Sequence, residues 1–237
     1  RPPSAMRPTA VLAALALPLA AAFSPSAPSL LAGRRPALST FAGRSAARVA
    51  PCMVSKEGIE AKAQLLKVIS DGDGKTVTGE MQIDALMATL SKEGTKFDRK
   101  VADGDWALVF ERDGKNSPTL QKASAAKQRP GTAFANFESE KGEFLNVAQL
   151  FGGKGVLKAT VAFSEVDGKD TRISCDIVDA SIKLWKLPTL PLPLRAKGGW
   201  LDFVYLDDEL RITKGNRGGT FVHVRPSRVA ELFPVAL

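Results

Sequence analysis

The side chains that most often perform catalysis or bind metals are scarce in this chain. It contains one histidine, His223, and two cysteines, Cys52 and Cys175, among 237 residues. Ser-His-Asp catalysis would need His223 beside a nucleophile on a sharp strand-to-helix turn, and the sequence has no such motif. A transition-metal site of ordinary composition needs several His or Cys ligands. The sequence therefore predicts no catalytic residue, no metal site and no cofactor, and it predicts that Cys175 is a small core residue.

Two other groups of residues have types that could do chemistry, but their surroundings argue against it. Asp207 and Asp208 lie in a turn between two strand patterns, where solvated carboxylates are usual. The run 215–219 is rich in glycine, yet strands rather than a helix flank it, so it does not resemble a phosphate-binding loop. The elements that carry these residues are more informative than the residues themselves.

From Gly104 onward, apolar and polar residues alternate as they do in half-buried strands. Turn signals such as Lys141-Gly142 and Asp167-Gly168 separate the strand segments. Eight or nine strands at this spacing predict a mainly β fold, an up-and-down antiparallel barrel. A barrel of about eight strands can be filled by side chains or can hold one small ligand. The predicted strands are 104–110, 132–138, 143–151, 155–165, 170–178, 180–186, 199–205, 207–213 and 219–225.

The last of these strands form a meander, residues 198–224, with an acidic turn and a glycine-rich turn. This segment closely resembles the C-terminal signature of the plastid lipid-associated protein (PAP) or fibrillin family, in which Gly-Trp-Leu-Asp, Tyr-Leu-Asp, Leu-Arg-Ile and Lys/Arg-Gly-Asn recur in this order. The resemblance implies a lipocalin-like barrel that binds apolar molecules. The signature positions are Trp200, Tyr205, Asp207, Leu210, Arg211 and Gly215.

Near the first strand, Gly104-x-Trp106 is similar to the Gly-x-Trp motif of lipocalins. In such barrels a basic side chain commonly packs on this tryptophan at a closed end of the barrel, which contributes about 1–2 kcal/mol. Arg211 is the first candidate for that role and Arg225 the second. Arg211 has an alternative, which is an ion pair with Asp207 or Glu209 on its own strand.

Three apolar stripes are candidates for the lining of a ligand pocket. We expect Trp106, Leu108 and Phe110 to share one face of the first strand, and two later strands carry similar stripes. A filled barrel core without a cavity explains the same pattern, and the resemblance favours a cavity. The predicted ligand-binding residues are Trp106, Leu108, Phe110, Val161, Phe163, Ile173 and Ile177.

Residues 187–194, the proline loop, carry four leucines and three prolines. Prolines exclude a regular strand interior, so the leucines stand on a loop. Trp185 precedes the loop, and basic residues lie on both sides. One interpretation is peripheral membrane contact through Trp185, Leu190 and Leu192. The other is that the loop packs across a barrel end and covers the core.

The N-terminal region is divided by composition. Residues 1–22 have the layout of a secretory signal peptide, and 23–53 are rich in Ser, Ala, Pro and Arg without an acid, as transit peptides are. In tandem they resemble bipartite presequences that carry proteins into complex plastids. Six of the 33 basic residues and none of the 25 acids lie in 1–53, so the net charge of the rest falls from +8 to +2. Whole-chain charge therefore gives no reason to expect nucleic-acid binding.

Ser55 and Thr78 are predicted to begin two helices, and the packed face of the first is predicted to carry Ile59, Ala63, Leu66 and Ile69. We therefore assign 54–98 to a helical pair and 99–237 to the barrel. The resemblance then implies a non-enzymatic protein that binds carotenoid, quinone or acyl lipid at plastoglobules or thylakoids. The alternatives are a structural or photosystem-associated protein with a filled barrel and, less favoured, a lipocalin-like enzyme.

Overall fold

The computed structural model describes residues 54–72, 74, 76–112, 130–151 and 153–234. The predicted signal and transit segments, 1–22 and 23–53, lie outside the described residues, as does Cys52. Over the ranges described, no helix combines the length and the hydropathy that a membrane span requires.

The described residues form a closed antiparallel barrel, which confirms the predicted mainly β fold. Eight strands pair with their neighbours in sequence, and β9 returns to pair with β1. The short β6 adds to β5 outside this ring. The strands are β1 Gly104–Arg112, β2 Ala133–Glu138, β3 Glu143–Leu150, β4 Gly155–Val166, β5 Lys169–Leu184, β6 Leu190–Pro191, β7 Ala196–Leu206, β8 Leu210–Gly215 and β9 Thr220–Val224.

Several strand boundaries differ from the prediction by a few residues, and the differences at β5 and β8 have a structural reason. The segments predicted as 170–178 and 180–186 are one strand, β5, whose register shifts between Cys175 and Ile177 without ending the strand. Strand β8 begins at Leu210 rather than at 207. Asp207 explains this, because its carboxylate accepts hydrogen bonds from the amides of Glu209 and Leu210 and so holds the preceding residues in a turn.

Two helices precede the barrel, as predicted. Helix α1, Lys56–Ser70, is capped by Ser55, whose hydroxyl accepts from the amide of Gly58. Helix α2, Val77–Ser91, is capped by Thr76 rather than by Thr78. The predicted packed face of α1 is wrong at Ile59, which is 61% exposed, and at Ala63, which is also exposed. The buried stripe runs instead through Ala61, Leu65, Leu66 and Ile69.

Two short helices complete the fold. Helix α3, Arg99–Ala102, leads into β1, and helix α4, Pro226–Leu232, follows β9. Helices α1, α2 and α4 pack on the outer surface of strands β1, β7, β8 and β9. This outer cluster is Ala61, Leu65, Leu66, Ile69, Ile83, Met87, Leu90, Ala107, Val109, Tyr205, Leu210, Ile212, Val222, Val224, Val229 and Phe233.

The barrel interior is a separate core, the inner cluster, formed by Ala102, Trp106, Ala135, Phe137, Phe144, Val161, Phe163, Ile173, Cys175, Ile177 and Phe203. Strand β8 lies between the two cores, and four consecutive residues from Leu210 to Thr213 are buried. Because successive side chains in a strand point to opposite faces, Leu210 and Ile212 lie under the helices while Arg211 and Thr213 face the interior.

The two ends of the barrel differ. Because the strands run up and down, the turns after β2, β4 and β7 meet at the end that begins β1, which carries α3. The turns after β3, β5 and β8 meet at the opposite end, which carries the proline loop. We call these the α3 end and the proline-loop end.

Candidate functional site

Trp106 lies at the α3 end and is fully buried. Its indole Nε1 donates a 2.8 Å hydrogen bond to the carbonyl of Ala102, the last residue of α3. Phe97 covers the same end, with its ring centre 4.9 Å from that of Phe203 and 5.9 Å from that of Phe163. The Gly-x-Trp motif therefore closes one end of the barrel.

Arg225 packs on the tryptophan more closely than Arg211 does, which reverses the predicted order of the two candidates. The Arg225 guanidinium carbon lies 3.8 Å from the centre of the Trp106 ring, against 5.2 Å for Arg211. Arg225 also donates to four backbone carbonyls that converge at this end, those of Val101, Asp103, Asp105 and Asp208. Both arginines lie near the ring, and the difference between them depends on the tertiary structure.

The alternative ion pair predicted for Arg211 is also wrong. Asp207 and Glu209 instead accept hydrogen bonds from Lys62 of α1, at 2.7 and 2.9 Å. The hydroxyl of Tyr205 donates to the same Asp207 carboxylate. Burial alone would raise the pKa of Asp207, but the hydrogen bonds from Lys62 and from two amides outweigh it and hold the pKa below the ordinary value. These signature residues therefore attach α1 to the β7–β8 turn.

A groove of about 570 Å³ lies beside this attachment, on the outside of the barrel. Ile59, Leu66 and Tyr205 give it an apolar wall, and Lys62 and Asp207 lie at its rim. The rim charges of Lys62 and Asp207 are already paired with each other.

The remaining signature residues also have structural surroundings. Arg172 stacks on Trp200 at 3.8 Å and pairs with Asp202 on the neighbouring strand. Leu210 is fully buried in the outer cluster. The amide of Gly215 donates to the carbonyl of Gly219 and closes the β8–β9 turn. The signature thus marks the part of the fold where strands and helices are joined.

Five of the seven predicted ligand-binding residues are packed together in the inner cluster. Trp106, Val161, Phe163, Ile173 and Ile177 are between 0% and 7% exposed. Phe137 and Phe144 stack beside them with ring centres 4.5 Å apart. These side chains fill the half of the barrel next to the α3 end.

Phe110 does not share a face with Trp106 and Leu108, which corrects the prediction. The register of β1 against β9 shifts between Leu108, which faces His223, and Phe110, which faces Val222. Adjacent residues of β9 point to opposite faces, so the bulge turns Phe110 outward, where it packs against the outer cluster. Leu108 stays inward.

Further along the barrel toward the proline-loop end, several inward side chains are only half-buried. Strand register places Leu108, Asn146, Phe221 and His223 on the inner face, opposite or beside residues of the inner cluster. Each nevertheless keeps accessible surface. Side chains that point into a closed barrel and still have accessible surface adjoin space that other side chains do not fill.

Two side chains at this level have buried nitrogen atoms that find no hydrogen-bond partner among the described residues. Arg211 is 3% exposed, and its Nε and Nη1 atoms lack hydrogen-bond partners in the part of the chain that the structure describes. His223 lies opposite Arg211 in the strand register of β8 and β9. Its buried Nδ1 also has no hydrogen-bond partner among the described residues.

Burial sets the protonation states of the pair. It lowers the pKa of Arg211 to about 9, with a further contribution from the charge of Arg225. Burial, and then the charge of Arg211, hold the pKa of His223 well below its ordinary value. At neutral pH the interior therefore contains one arginine cation beside a neutral imidazole.

Around the proline loop, large apolar side chains are exposed in one place. Trp185 is 56% exposed, Leu187 54% and Leu190 41%, and the Trp185 ring stacks on Phe151 with centres 5.5 Å apart. Leu192 is half-buried against Ala148, Leu157 and Ile182. Leu192 therefore covers the barrel end, while Trp185 and Leu190 face outward.

The backbone holds this aromatic pair in an unusual conformation. Trp185 has φ 49° and Phe151 has φ 53°, a region that bulky residues rarely adopt. Phe151 is 48% exposed. The sequence predicts it only as the last residue of a strand, so it was not among the predicted membrane-contact residues. Such strain at exposed side chains is a reason to look for function there.

Cys175 is fully buried in the inner cluster, and burial raises the pKa of its thiol well above the ordinary value. Within the described ranges, no three His, Cys, Asp or Glu side chains are arranged so as to bind a metal ion.

Comparison with known proteins places this barrel in a family. The chain is 30% identical over 174 residues to the probable plastid-lipid-associated protein 12, chloroplastic, of Arabidopsis thaliana, covering 64% of this chain and 40% of that protein. A solved lipocalin-like protein from Bacteroides uniformis is 15% identical, with a TM-score of 0.31, over 52% of this chain and 96% of that one. The barrel topology described above rests on strand pairing rather than on this distant likeness.

The family model PAP_fibrillin matches residues 59–224, from the first turn of α1 to the end of β9. The match includes both predicted motifs, Gly104-x-Trp106 and the meander 198–224. The chain belongs to the PAP/fibrillin family.

Proposed function

We propose that this protein is a plastid lipid-associated protein that binds a small apolar molecule inside its barrel. The observation that carries the proposal is the half-buried, inward-facing set of Leu108, Asn146, Phe221 and His223, which adjoins unfilled space. Family membership and the name of the chloroplast relative support the plastid as its location. Carotenoids, quinones and acyl lipids are the candidate ligands.

The predicted ligand-binding residues divide into two groups under this proposal. Trp106, Val161, Phe163, Ile173 and Ile177 form the floor, because they already contact one another at the α3 end. Leu108 belongs to the wall. Phe110 supports the wall from outside, since it packs under the helices. We therefore expect a ligand to contact the floor at its inner end and Leu108 along its length.

We further propose that the proline-loop end rests on a plastoglobule or thylakoid surface. Trp185, Phe151, Leu187 and Leu190 provide exposed apolar area at one end of the barrel. Exposed basic residues surround them, including Lys183, Lys186, Arg195 and Lys197, which suits an anionic lipid surface. An apolar ligand could then pass between the lipid phase and the barrel without crossing water.

A structural protein with a filled barrel is the second candidate. It is favoured by the tight packing of the inner cluster, whose members are at most 7% exposed. A non-enzymatic role fits both candidates, because burial keeps the Cys175 thiol of the interior protonated and therefore a poor nucleophile.

Two measurements distinguish these candidates. Organic extraction of the purified protein, followed by mass spectrometry, should release an apolar molecule in stoichiometric amount. Titration with a fluorescent fatty acid and with a carotenoid should give saturable binding. The variant Leu108→Trp should release less lipid on extraction and bind both probes more weakly, because the larger side chain occupies the interior at a half-buried position.

The matched control is Lys158→Trp, which places the same side chain on the exposed outer face of β4. It should bind as wild type does. If wild type binds no apolar probe and releases no lipid, the ligand-binding proposal fails and the structural role is favoured.

A further inference from the structure

Arg211 lies inside the barrel because β8 carries it there. In the strand register, Arg211 lies opposite Leu206 of β7 and His223 of β9. Leu210 and Ile212, on either side of it in β8, face the helices. Its guanidinium carbon lies 4.7 Å from the centre of the Phe137 ring, directly above the floor of the barrel. The aromatic faces stabilise the cation only in part.

The structural role that an arginine commonly has at this end of a barrel is already performed by another residue. Arg225 stacks on Trp106 and donates to four carbonyls. The two carboxylates predicted to pair with Arg211, those of Asp207 and Glu209, are bound by Lys62. Arg211 is therefore a buried cation whose Nε and Nη1 have no partner among the described residues.

A buried charge without a partner is among the most destabilising features a fold can contain, so its retention calls for an explanation. The neutral His223 beside it also has a buried nitrogen without a partner. A neutral imidazole can carry its proton on Nδ1 and donate from there. Together the two side chains offer donors to one acceptor group that the described residues do not supply.

The adjoining wall accommodates a chain rather than a compact ion. Leu108 lies opposite His223 in the strand register, and Phe221 follows on the same inner face of β9 toward the proline-loop end. Both are half-buried. A ligand with its acceptor at Arg211 would therefore extend along apolar side chains toward the end that carries the exposed aromatic pair.

We propose that Arg211 and His223 form a head-group site for the carboxylate of a long-chain fatty acid, whose acyl chain runs along Leu108 and Phe221. This inference rests on the proposed binding of an apolar ligand in the barrel, and it names the class of that ligand. One carboxylate neutralises the one buried cation. A quinone carbonyl or a hydroxyl would accept a hydrogen bond but leave the charge uncompensated.

The test compares parinaric acid, a fluorescent polyene fatty acid, with its methyl ester, using the full chain. Wild type should bind the acid more tightly than the ester. Arg211→Met keeps the length of the side chain and removes the charge, so it should weaken binding of the acid by about tenfold or more and change binding of the ester little. His223→Phe should weaken binding of the acid by a smaller factor.

Lys214→Met is the matched control, since Lys214 is exposed and lies on the outer side of the same strand. It should bind acid and ester as wild type does. Thermal unfolding of Arg211→Met provides the folding control, and its midpoint should be equal to that of wild type or higher, because an unpaired buried charge is removed.

The outcomes separate the inference from the function on which it rests. Equal binding of acid and ester by wild type, unchanged in Arg211→Met, overturns the head-group site and leaves apolar-ligand binding in place. Failure of acid, ester and carotenoid alike to bind wild type overturns both. If Arg211→Met does not fold, the preference of wild type for the acid and its reduction in His223→Phe decide the question.

Discussion

The guanidinium carbon of Arg225 lies 3.8 Å from the centre of the Trp106 ring, at the end of the barrel where α3 enters β1. The indole nitrogen of Trp106 is bonded to the carbonyl of Ala102, and Arg225 is bonded to carbonyls on both sides of that position. This contact joins the last strand of the barrel to the first. It also leaves Arg211, the other arginine near the ring, available for a different role.

Replacing Trp106 tests how much of the fold depends on this end. Trp106→Ala should lower the free energy of unfolding by about 3–5 kcal/mol, because a fully buried indole is removed and a cavity remains. Chemical denaturation of the wild type and the variant measures the difference. Stability equal to wild type would mean that the ring is not packed as described.

Replacing Arg225 tests the cap itself. Arg225→Met should lower the free energy of unfolding by about 2 kcal/mol or more, since the carbonyls of Val101, Asp103, Asp105 and Asp208 lose a charged donor. Arg228→Met is the control, because that half-buried side chain forms only an ion pair with Glu231 within its own helix. This change should alter stability by less than about 0.5 kcal/mol. An equal effect of the two changes would contradict the proposed cap.

The attachment of α1 through Lys62 should depend on pH. The pKa of Asp207 is held below its ordinary value in the folded state, so its contribution is fully present above the unfolded pKa of about 4 and is lost as pH falls below it. The pKa of Glu209 is lowered as well, chiefly by the hydrogen bond from Lys62.

Measuring the free energy of unfolding from pH 7 to pH 3 tests this pH dependence. Lys62→Met should lower the free energy of unfolding by about 1–2 kcal/mol at pH 7. The difference from wild type should shrink as both carboxylates become protonated. A difference that stays constant over this range would show that the ion pairs do not stabilise the fold.

The proposed membrane contact predicts that a substitution at the proline-loop end weakens vesicle binding more than a substitution elsewhere on the surface does. Trp185→Ser should weaken binding of the protein to vesicles that contain anionic plastid lipids by about tenfold, because an exposed indole no longer enters the interface. Ile59→Ser serves as the control, since Ile59 is similarly exposed but lies on α1. Flotation of the vesicles measures both, and equal losses would rule out a specific role of the loop.

Cys175 should be unreactive in the folded protein, because it is fully buried and burial raises the pKa of its thiol. In the full chain carrying Cys52→Ser, a thiol reagent should modify Cys175 only as fast as the protein unfolds. Rapid modification under native conditions would show that the inner cluster opens readily.

Several features followed from local sequence alone. The cap at Ser55, the alternation along β4 and the meander at 198–224 depend on neighbouring residues or on spacing within one element, so the sequence indicated a β-barrel preceded by helices. The family signature lies in the same short-range pattern.

Other features were decided only by the tertiary structure, because they depend on which strands become neighbours. The bulge between Leu108 and Phe110 arises from pairing with β9, and it reverses the face of Phe110. Leu210 and Arg211 are both buried because β8 lies between helices and barrel interior, so alternation alone did not show which residue faces inward. Lys62, which is distant in sequence, binds the two carboxylates that Arg211 was predicted to use. Only the tertiary structure therefore shows that Nε and Nη1 of Arg211 have no partner among the described residues.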